Sequence, residues 1–358
     1  MDMVDVVVIG GGQAGLAAGY FLRRAELDFV ILDAHAQPGG AWQHGWDSLR
    51  LFSPAEFGRL PGWPMPPQAG EGFPTAGHVV DYLTRYELRY DLPVRRPVRV
   101  HRVGRTGRQW TVDTDHGTWH STAVISATGT WHRPNRPCYP GQATFTGQQL
   151  HTVDYRRPDP FAGQRVLIVG GGNSAAQILA EVSTVAETTW VTARPPRFMP
   201  DDVDGRVLFD VASARTAAER AGLPQQEGVS ALGDIVMVPP VLAARARGVL
   251  TAREMFDHFD STGVAWADGT RWACDTVIWC TGFHPDLDHL SRLRLTWQDD
   301  HPVTSGTRSL EQPGLHLLGY GDWTGPSSAT LIGASRTAKQ AVAEIRDYVL
   351  EVRSAPVS

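Results

Sequence analysis

Two glycine-rich turns, each between an apolar strand and a helical pattern, constrain the fold of this chain more than any other feature. The first, Gly10–Gly15, follows Val6–Ile9, and the second, Gly170–Ala175, follows Val166–Val169. In such turns the first glycine makes the bend, the second lets backbone approach a pyrophosphate, and the third small residue packs helix on strand. The N–H groups that begin each helix then face the phosphates. Two such turns predict two dinucleotide sites.

The order of strands and helices repeats and predicts an α/β protein with two Rossmann-like domains. Elements at residues 4–9, 13–25 and 29–32 are echoed at 166–169, 174–186 and 188–193. Apolar strands at 123–127 and 276–280 both end near a Thr-Gly pair. We expect the NADP domain to be inserted into the FAD domain, with the FAD domain at 1–155 and 286–358 and the NADP domain at 156–285. Further helices are predicted at 78–90 and 328–349, and further strands at 98–103, 110–113 and 315–318. The segment 38–77 is predicted to consist of loops. The segment 195–250 is predicted either to form a substrate lid or to complete the NADP domain.

Composition excludes several classes of protein. The formal net charge of −5 over 358 residues gives no indication of nucleic-acid binding. The three cysteines are scattered without a Cys-x-x-Cys, so neither a metal site nor a redox dithiol is predicted, and each is expected to be a small buried side chain. The first strand begins too early for a signal peptide, and no apolar run is long enough to span a membrane. A cytoplasmic protein is expected, and its oligomeric state is not indicated.

The residue after the second strand of each unit distinguishes the two cofactors. Asp33 is placed to accept hydrogen bonds from an adenosine ribose and would repel a 2′-phosphate, so the first unit suits FAD or NAD. The matching strand of the second unit is followed by Arg194, whose planar fork can pair with a 2′-phosphate, so this unit favours NADPH. Asp322, after the last strand, is a candidate ligand of the FAD ribityl chain or pyrophosphate.

Residues between the two units resemble a known family. The pattern Phe145-x-Gly147-x-x-x-His151-x-x-x-Tyr155 resembles the fingerprint of class B flavoprotein monooxygenases, in which the last position is usually Phe or Trp. Gly39-Gly40-Ala41-Trp42 is similar to a flavin-contacting segment of that family, and Gly172-Asn173-Ser174 to its nicotinamide-domain turn. Over residues 39–66 the chain resembles bacterial flavin monooxygenases encoded near arsenic-resistance operons.

The motifs and the resemblance together predict two sets of cofactor-binding residues. The FAD set is Gly10, Gly12, Gln13, Ala14, Gly15, Asp33, Ala34, Gly40, Ala41, Trp42, His44, Leu51, Val98, Ala127, Gly129, Asp322 and Thr330. The NADP set is Gly170, Gly172, Asn173, Ser174, Ala175, Arg194, Cys280, Thr281 and Gly282.

The resemblance implies an NADPH- and FAD-dependent monooxygenase acting on a small molecule with O2. NADPH would reduce FAD, and the reduced flavin would add oxygen to form a C4a-peroxyflavin or hydroperoxyflavin. A sulfur, nitrogen or trivalent arsenic atom would then attack the distal oxygen. Two alternatives stay open: a flavin reductase or oxidase that passes electrons to another acceptor, and a non-catalytic flavin redox sensor.

The chain departs from the family where many members place an asparagine over the flavin. Phe52 stands there and cannot hydrogen-bond an oxygen adduct. Arg50 and Ser53 are the candidate substitutes, and the catalytic residue is otherwise not indicated.

Overall fold

The chain folds into two compact units in a computed structural model that describes residues 3–70, 72–207, 210–211, 214 and 232–355. Unit 1 contains Met1–Gln43, Pro54–Arg133 and His284–Ser358, and unit 2 contains His44–Ser53 and Pro134–Phe283. Unit 2 therefore interrupts unit 1, but the first boundary follows Arg133 and not residue 155. The difference arises because the strand Gln148–His151 pairs in parallel with Thr276–Trp279, inside the sheet of unit 2.

Strands and helices are numbered in chain order through both units. Unit 1 begins with β1 (Met3–Ile9), α1 (Gln13–Arg24), β2 (Phe29–Leu32), α2 (Ala76–Arg89), β3 (Val94–Arg95), β4 (Val100–Thr106), β5 (Gln109–Thr114) and β6 (Gly117–Ser126). Unit 2 contains β7 (Gln148–His151), β8 (Arg165–Val169), α3 (Asn173–Val182), β9 (Glu187–Thr192), α4 (Pro239–Ala246), β10 (Ala252–Glu254), β11 (His258–Phe259), β12 (Gly263–Ala265), β13 (Arg271–Ala273) and β14 (Thr276–Trp279). Unit 1 resumes with β15 (Trp297–Gln298), β16 (His301–Pro302), β17 (Thr304–Ser305), β18 (Arg308–Ser309), β19 (Leu315–Leu317) and α5 (Leu331–Ser354).

The sheet of unit 1 has a parallel centre in the order β3-β2-β1-β6-β19. The run Val6–Ile9 in β1 is buried along its whole length, as expected for a central parallel strand that helices cover on both faces. β6 begins earlier than predicted because its polar first half, from Gly117, pairs antiparallel with β5. α5 begins three residues later than the predicted helix because Thr330 caps it and accepts a hydrogen bond from Gly333 N–H.

The sheet of unit 2 repeats this arrangement in the order β10-β9-β8-β14-β7, with all four pairings parallel. β8, α3 and β9 take the places that β1, α1 and β2 hold in unit 1. The predicted pair of Rossmann-like folds is thus confirmed. Within 195–250, residues 208–209, 212–213 and 215–231 lie outside the described part, and α4 from the described part packs against the core of unit 2.

The segment His44–Ser53 belongs to unit 2 because of its packing. Trp46 is buried in a core formed by β8, α3, β9 and β14. The Asp47 N–H donates to the Arg156 carbonyl at 2.9 Å, and the Ser48 hydroxyl donates to the Glu181 carboxylate on α3.

None of the helices in the described ranges is both long and apolar enough to cross a membrane.

His316, on β19, makes the stability of unit 1 depend on pH. Its side chain is buried, with Nδ1 3.0 Å from the Thr307 hydroxyl. Burial, together with the positive charge of Arg308, lowers its pKa to about 4, whereas an unfolded histidine titrates near about 6.5. Between these values the unfolded state binds a proton that the folded state excludes. The stabilisation is therefore complete above about pH 6.5 and is lost as the pH falls toward about 4, by about 3 kcal/mol.

His316→Gln tests this dependence, because glutamine keeps a polar group beside Thr307 and removes the titration. We expect the urea midpoint of the variant to fall less than that of the wild type as the pH is lowered from about 7 to about 4. His116→Gln, at an exposed histidine in the same unit, is the control and should keep the wild-type profile. Superimposable profiles for His316→Gln and the wild type would contradict the assignment.

Candidate functional site

Unit 1 contains a cavity of about 480 Å3 at the carboxyl ends of β1, β2 and β6. This is the edge at which open α/β sheets bind their ligands. The glycine turn after β1, Asp33 after β2 and Thr128-Gly129 after β6 all line it. Twelve residues of the predicted FAD set are in the wall: Gly10, Gly12, Gln13, Ala14, Asp33, Ala34, Gly40, Ala41, Trp42, Val98, Ala127 and Gly129.

The turn after β1 has the close backbone approach that a dinucleotide cradle needs. Gly10 has a φ of +107°, and a Cβ there would lie 2.4 Å from the Ala127 carbonyl oxygen. Gly40 has a φ of +54°, and its Cβ would lie 2.8 Å from the Gly12 Cα. Gly15 does not line the cavity; its Cβ would lie 1.9 Å from the Gly10 carbonyl oxygen, so its place is in the packing of α1 on the turn.

The helix that follows the turn has no side-chain cap. Gly12 is the N-cap of α1, and Gly172 is the N-cap of α3 in unit 2; neither can supply a hydrogen bond to the first-turn N–H groups. Thr75 and Thr330, in contrast, cap α2 and α5 with their hydroxyl groups. An uncapped first turn leaves N–H donors for a phosphate. α4 also lacks a side-chain cap, but it begins with two prolines, which have no N–H to donate. The two helices predicted to bind pyrophosphate therefore have the free N–H donors that it requires.

Gln13 connects three parts of the cavity wall. Its amide nitrogen donates to the Ala329 carbonyl at 2.6 Å, and its amide oxygen accepts from the Trp42 indole N–H at 2.9 Å. The start of α1, the loop before α5 and the turn at Trp42 are thereby held together. Because all three flank the glycine turn, Gln13 orders the wall beside the phosphate-binding end of α1.

Asp33 lies buried beside the glycine turn and is held by two basic side chains. Oδ1 accepts from the His35 backbone N–H and lies 3.1 Å from His35 Nδ1, while Oδ2 accepts from Arg96 Nε at 2.7 Å. Burial alone would raise the pKa of this carboxyl. The hydrogen bonds of His35 and the charge of Arg96 outweigh burial and hold the pKa below its usual range. Asp33 is thus a carboxylate at neutral pH.

The sequence did not indicate several residues of this cavity. His35, Arg99, His101, Asp286, Asp288 and His289 line it, and Arg96 contacts the wall residue Asp33. His35 follows the predicted Asp33 and Ala34, and Arg99 and His101 follow the predicted Val98, so at these places the prediction ended too early along the chain. Asp286, Asp288 and His289 reach the cavity through tertiary contacts that no local pattern encodes.

Besides Gly15, four residues of the predicted FAD set lie outside the cavity wall. His44 and Leu51 belong to the segment of unit 2 described above. The Asp322 carboxylate accepts from the Ser327 N–H at 3.0 Å, and the Thr330 hydroxyl is the α5 cap. Their roles toward FAD stay predictions.

Unit 2 contains an open groove of about 720 Å3 at the corresponding turn. Of the predicted NADP set, Gly172 and Arg194 line it, together with Gly171, Ala193, Pro195, Arg197 and Asp234. Gly170 has a φ of +134°, and its Cβ would lie 2.2 Å from the Cys280 carbonyl oxygen. Gly10 approaches the Ala127 carbonyl in the same way in unit 1. In both units, therefore, the residue before the Thr-Gly pair packs against the first glycine of the turn.

The charges of this groove come from Arg194, Arg197 and Asp234. Arg197 pairs with Asp234 through two hydrogen bonds of 2.9 and 2.7 Å. These bonds, with the charge of Arg197 and then that of Arg194, lower the pKa of Asp234. Arg194 is exposed and forms no ion pair among the described residues. Its guanidinium is the basic group that the groove leaves available to an anion.

Asn173 has a structural contact that the sequence did not suggest. Its amide nitrogen donates to the Asp234 carbonyl at 3.1 Å, and its amide oxygen accepts from the Val236 N–H at 2.8 Å. It therefore fixes the segment that carries Asp234. Ser174 and Ala175 follow it in α3, and Ala175 is buried against the core of unit 2.

The strand end of β14 is braced by the same contacts as that of β6. The Thr281 hydroxyl donates to the Asn135 carbonyl at 2.5 Å, and the Asn135 N–H donates to the Gly282 carbonyl at 2.9 Å. In unit 1 the Thr128 hydroxyl donates to the Asp286 carbonyl at 2.5 Å, and the Asp286 N–H donates to the Gly129 carbonyl at 2.9 Å. The internal echo in the sequence is thus a structural repeat.

The cysteines follow the prediction only in part. Cys274 and Cys280 are buried, and burial raises the pKa of both thiols to about 12. Cys138 is exposed, which corrects the expectation for that residue. All three are free. Within the described ranges, no group of three or more His, Cys, Asp or Glu side chains is placed to hold a metal ion.

The departures at Phe52 and Tyr155 have a packing explanation within unit 2. Phe52 packs against Met199, Val203 and Val236, so an apolar side chain suits its position. Tyr155 is buried, and its hydroxyl donates to the Glu181 carboxylate at 2.6 Å, which a Phe or Trp could not do in the same way. Arg50 and Ser53 also belong to unit 2, and Arg50 is exposed.

Comparison with known proteins identifies the family. A family model described as pyridine nucleotide-disulphide oxidoreductase matches residues 7–210, more than half of the chain. The chain belongs to this family. The match includes the glycine turns of both units, on which the prediction of two dinucleotide sites is based.

Flavin monooxygenases are among the relatives of this oxidoreductase. A solved flavin-containing monooxygenase from Stenotrophomonas maltophilia is 54% identical with a TM-score of 0.89, covering 97% of this chain and 99% of that chain. An uncharacterized CzcO-like oxidoreductase from Geobacillus kaustophilus is 28% identical over 339 residues, 92% of this chain and 94% of the relative. Probable indole-3-pyruvate monooxygenase YUCCA8 from Arabidopsis thaliana is 29% identical over 322 residues, 79% of this chain and 75% of the relative. These matches confirm the predicted resemblance to class B flavin monooxygenases.

Proposed function

We propose that this protein is an NADPH-dependent FAD monooxygenase that oxygenates a small molecule at sulfur, nitrogen or trivalent arsenic. FAD and NADPH are the cofactors of its family. The observation that carries the proposal is the pair of uncapped glycine turns, one in each unit, with an acid after the second strand of unit 1 and an arginine after that of unit 2.

Unit 1 is proposed to hold FAD. The N–H groups at the start of α1 would hold the pyrophosphate, and Asp33 would accept a hydrogen bond from the adenosine ribose. Gln13 keeps Trp42 in the wall beside this end of α1. Gly15, His44, Leu51, Asp322 and Thr330 remain part of the proposed FAD set, with Gly15 acting through the packing of the turn.

Unit 2 is proposed to hold NADPH. The N–H groups at the start of α3 would hold its pyrophosphate, and Arg194 would pair with the 2′-phosphate. Asp234 lies in the same groove, but its charge is compensated by Arg197. Cys280, Thr281 and Gly282 follow β14, and the Cys280 carbonyl packs against Gly170 of the turn.

Bound FAD supplies the redox chemistry by accepting a hydride and activating O2. The chain supplies position: both turns fix a pyrophosphate by backbone geometry, and the acid and arginine distinguish the two nucleotides. Sulfur, nitrogen and trivalent arsenic carry lone pairs that attack electrophilic oxygen, and the resemblance to flavin-containing monooxygenases favours them. Three free, separated cysteines give no support to a relay that reduces disulfides.

A substrate screen tests the proposed function. The holoenzyme, NADPH and O2 are mixed with a dialkyl sulfide, a tertiary amine, a cyclic ketone or an organic trivalent arsenical, and NADPH, O2, hydrogen peroxide and oxidised product are each measured. We expect faster NADPH-dependent oxygen uptake and one oxidised product per NADPH for the sulfide, the amine or the arsenical. Hydrogen peroxide in amounts equal to the NADPH consumed, whatever is added, would contradict a monooxygenase and favour an oxidase or reductase.

Arg194→Ala tests the assignment of NADPH to unit 2. Loss of a charge-assisted contact to the 2′-phosphate should raise the KM for NADPH about 10- to 100-fold and leave the KM for NADH nearly unchanged. Arg157→Ala removes another exposed arginine of unit 2 that does not line the groove and should change neither value. Equal effects of Arg194→Ala on the two KM values, or none, would remove the 2′-phosphate role.

A further inference from the structure

A second groove of unit 1 lies between the hairpin formed by β4 and β5 and the segment Arg292–Arg294. Its volume is about 530 Å3, and it shares no lining residue with the cavity proposed to hold FAD. Asp113 is the single acid among its lining residues, and Leu293 has the single apolar side chain. Four arginines line it as well: Arg102, Arg105, Arg292 and Arg294. The groove is therefore strongly basic, although the formal net charge of the chain is −5.

The acid of this groove compensates only one of the four arginines. Arg102 Nε donates to Asp113 Oδ2 at 2.8 Å, and the hydrogen bond from Arg102 is the main cause that lowers the pKa of Asp113. Both arginines of the segment Arg292–Arg294 are exposed and form no ion pair in the part of the chain that the structure describes. The carboxylate of Glu311, nearby in sequence, accepts from the Thr296 hydroxyl and N–H and does not line the groove.

Arg105 is half-buried, and its partners are uncharged. Nη1 donates to Gln312 Oε1 at 3.4 Å, Nη2 donates to the Tyr348 hydroxyl at 3.2 Å, and the guanidinium carbon lies 5.3 Å from the centre of the Trp110 ring. Gln312 is itself fixed, because its amide nitrogen donates to the Arg294 carbonyl at 3.0 Å. These contacts hold the guanidinium in place without neutralising it. A partly buried charge without a counter-ion costs free energy, and a bound anion offsets that cost.

Gly104 leaves the space between these arginines open. A Cβ built on it would meet nothing within 4 Å. Since arginines of the hairpin and of the segment Arg292–Arg294 line the two sides of the groove, an anion between them needs acceptor oxygens that point in several directions. A phosphoryl group has three such oxygens and about 1.5–2 negative charges at neutral pH, so two phosphoryl groups match three uncompensated arginines. No aromatic ring lines the groove, so a base would have nothing on which to stack.

We propose that this groove is a binding site for a small anion with two phosphoryl groups, which Arg105, Arg292 and Arg294 hold. Gln312 is a positioning residue, because it joins the Arg105 guanidinium to the backbone at Arg294. The site uses neither FAD nor NADPH and therefore does not depend on the proposed function. Because the anion binds the folded arrangement of these arginines, it stabilises unit 1.

The experiment titrates the holoenzyme with inorganic pyrophosphate in a calorimeter at about 0.15 M salt, where charges far from the site are screened. NADP+ is present in excess, to keep pyrophosphate out of the groove at Arg194. We expect one site with a Kd of about 10–100 µM, and binding of sulfate at least about tenfold weaker, because sulfate engages fewer guanidinium groups. Citrate, which has a similar charge on carboxylates, should also bind at least about tenfold more weakly.

Two variants of the groove locate the site. Gly104→Leu fills the open space and keeps every charge; it should fold, because Gly104 has no positive φ and its Cβ meets no atom. The double variant Arg292→Gln with Arg294→Gln removes two of the three uncompensated charges. We expect each to raise the Kd for pyrophosphate at least about tenfold.

The matched control is the double variant Arg85→Gln with Arg95→Gln, which removes two exposed arginines of unit 1 outside the groove. It should change the Kd less than about twofold. Equal weakening by the two double variants would mean that only the net charge attracts the anion, and an unchanged Kd in Gly104→Leu would place the anion outside the groove. Either result overturns the site, as does no binding of pyrophosphate to the wild type. Citrate bound as tightly as pyrophosphate would overturn the assignment to phosphoryl groups.

Discussion

Gly10→Ala should yield a protein that purifies without its yellow cofactor. The φ of +107° at Gly10 disfavours any side chain, at a cost of about 1–2 kcal/mol. A Cβ would also lie 2.4 Å from the Ala127 carbonyl oxygen, which is backbone and cannot rotate away. Relief requires the turn to separate from the end of β6, which moves the N–H groups that face the pyrophosphate. We expect the Kd for FAD to rise at least about 100-fold, measured by flavin titration of the apoprotein.

Gly107→Ala is the matched control for Gly10. Gly107 also has a positive φ, +59°, in the turn between β4 and β5, but a Cβ there would meet nothing within 4 Å. It carries the conformational strain without the clash, so it should bind FAD as the wild type does. Retention of full flavin content by Gly10→Ala would show that the close approach to Ala127 is not needed for the cofactor.

Gly170→Ala should separate the two cofactors. At a φ of +134°, its Cβ would lie 2.2 Å from the Cys280 carbonyl oxygen, the equivalent clash in unit 2. The cavity of unit 1 contains no residue of this turn, so the protein should remain yellow. We expect anaerobic reduction by NADPH to slow at least about 100-fold while dithionite still reduces the flavin.

Gly269→Ala is the control for this variant, because its φ of +85° combines with open space around the Cβ. It should be reduced by NADPH at the wild-type rate. Wild-type reduction of Gly170→Ala would place the nicotinamide cofactor outside the turn after β8. Loss of FAD from Gly170→Ala would show that the two sites are not independent.

The parts of the fold that local patterns dictate were predictable from the sequence. Both glycine turns, their flanking strands and the paired Thr-Gly strand ends depend on residues a few positions apart, and the structure places them as expected. The domain boundary was not predictable in the same way. β7 has the polar sequence Gln148-Gln149-Leu150-His151, and its membership in the sheet of unit 2 depends on pairing with β14, which lies far along the chain.

In the candidate site, too, residues next to a motif could be predicted and residues brought there by distant contacts could not. Asp33 could be found because it directly follows β2, but Arg96 is 63 residues away and reaches it only after β3 pairs with β2. Asn173 could be located at the start of α3, but its contact with the backbone at Asp234 depends on how a distant segment packs. Phe52 was marked as a departure from the family, and its packing on Met199 and Val203 required the fold of unit 2.

A monooxygenase that uses both cofactors is tested most directly by reducing the holoenzyme anaerobically with NADPH and mixing it rapidly with O2 while absorbance is recorded. We expect complete reduction by NADPH, followed by a long-lived species that absorbs in the near ultraviolet and decays faster when an oxidisable sulfide is present. Immediate return of the oxidised spectrum with release of hydrogen peroxide, unchanged by the sulfide, would contradict a monooxygenase. Failure of NADPH to reduce the flavin would contradict the pairing of the two cofactors in one chain.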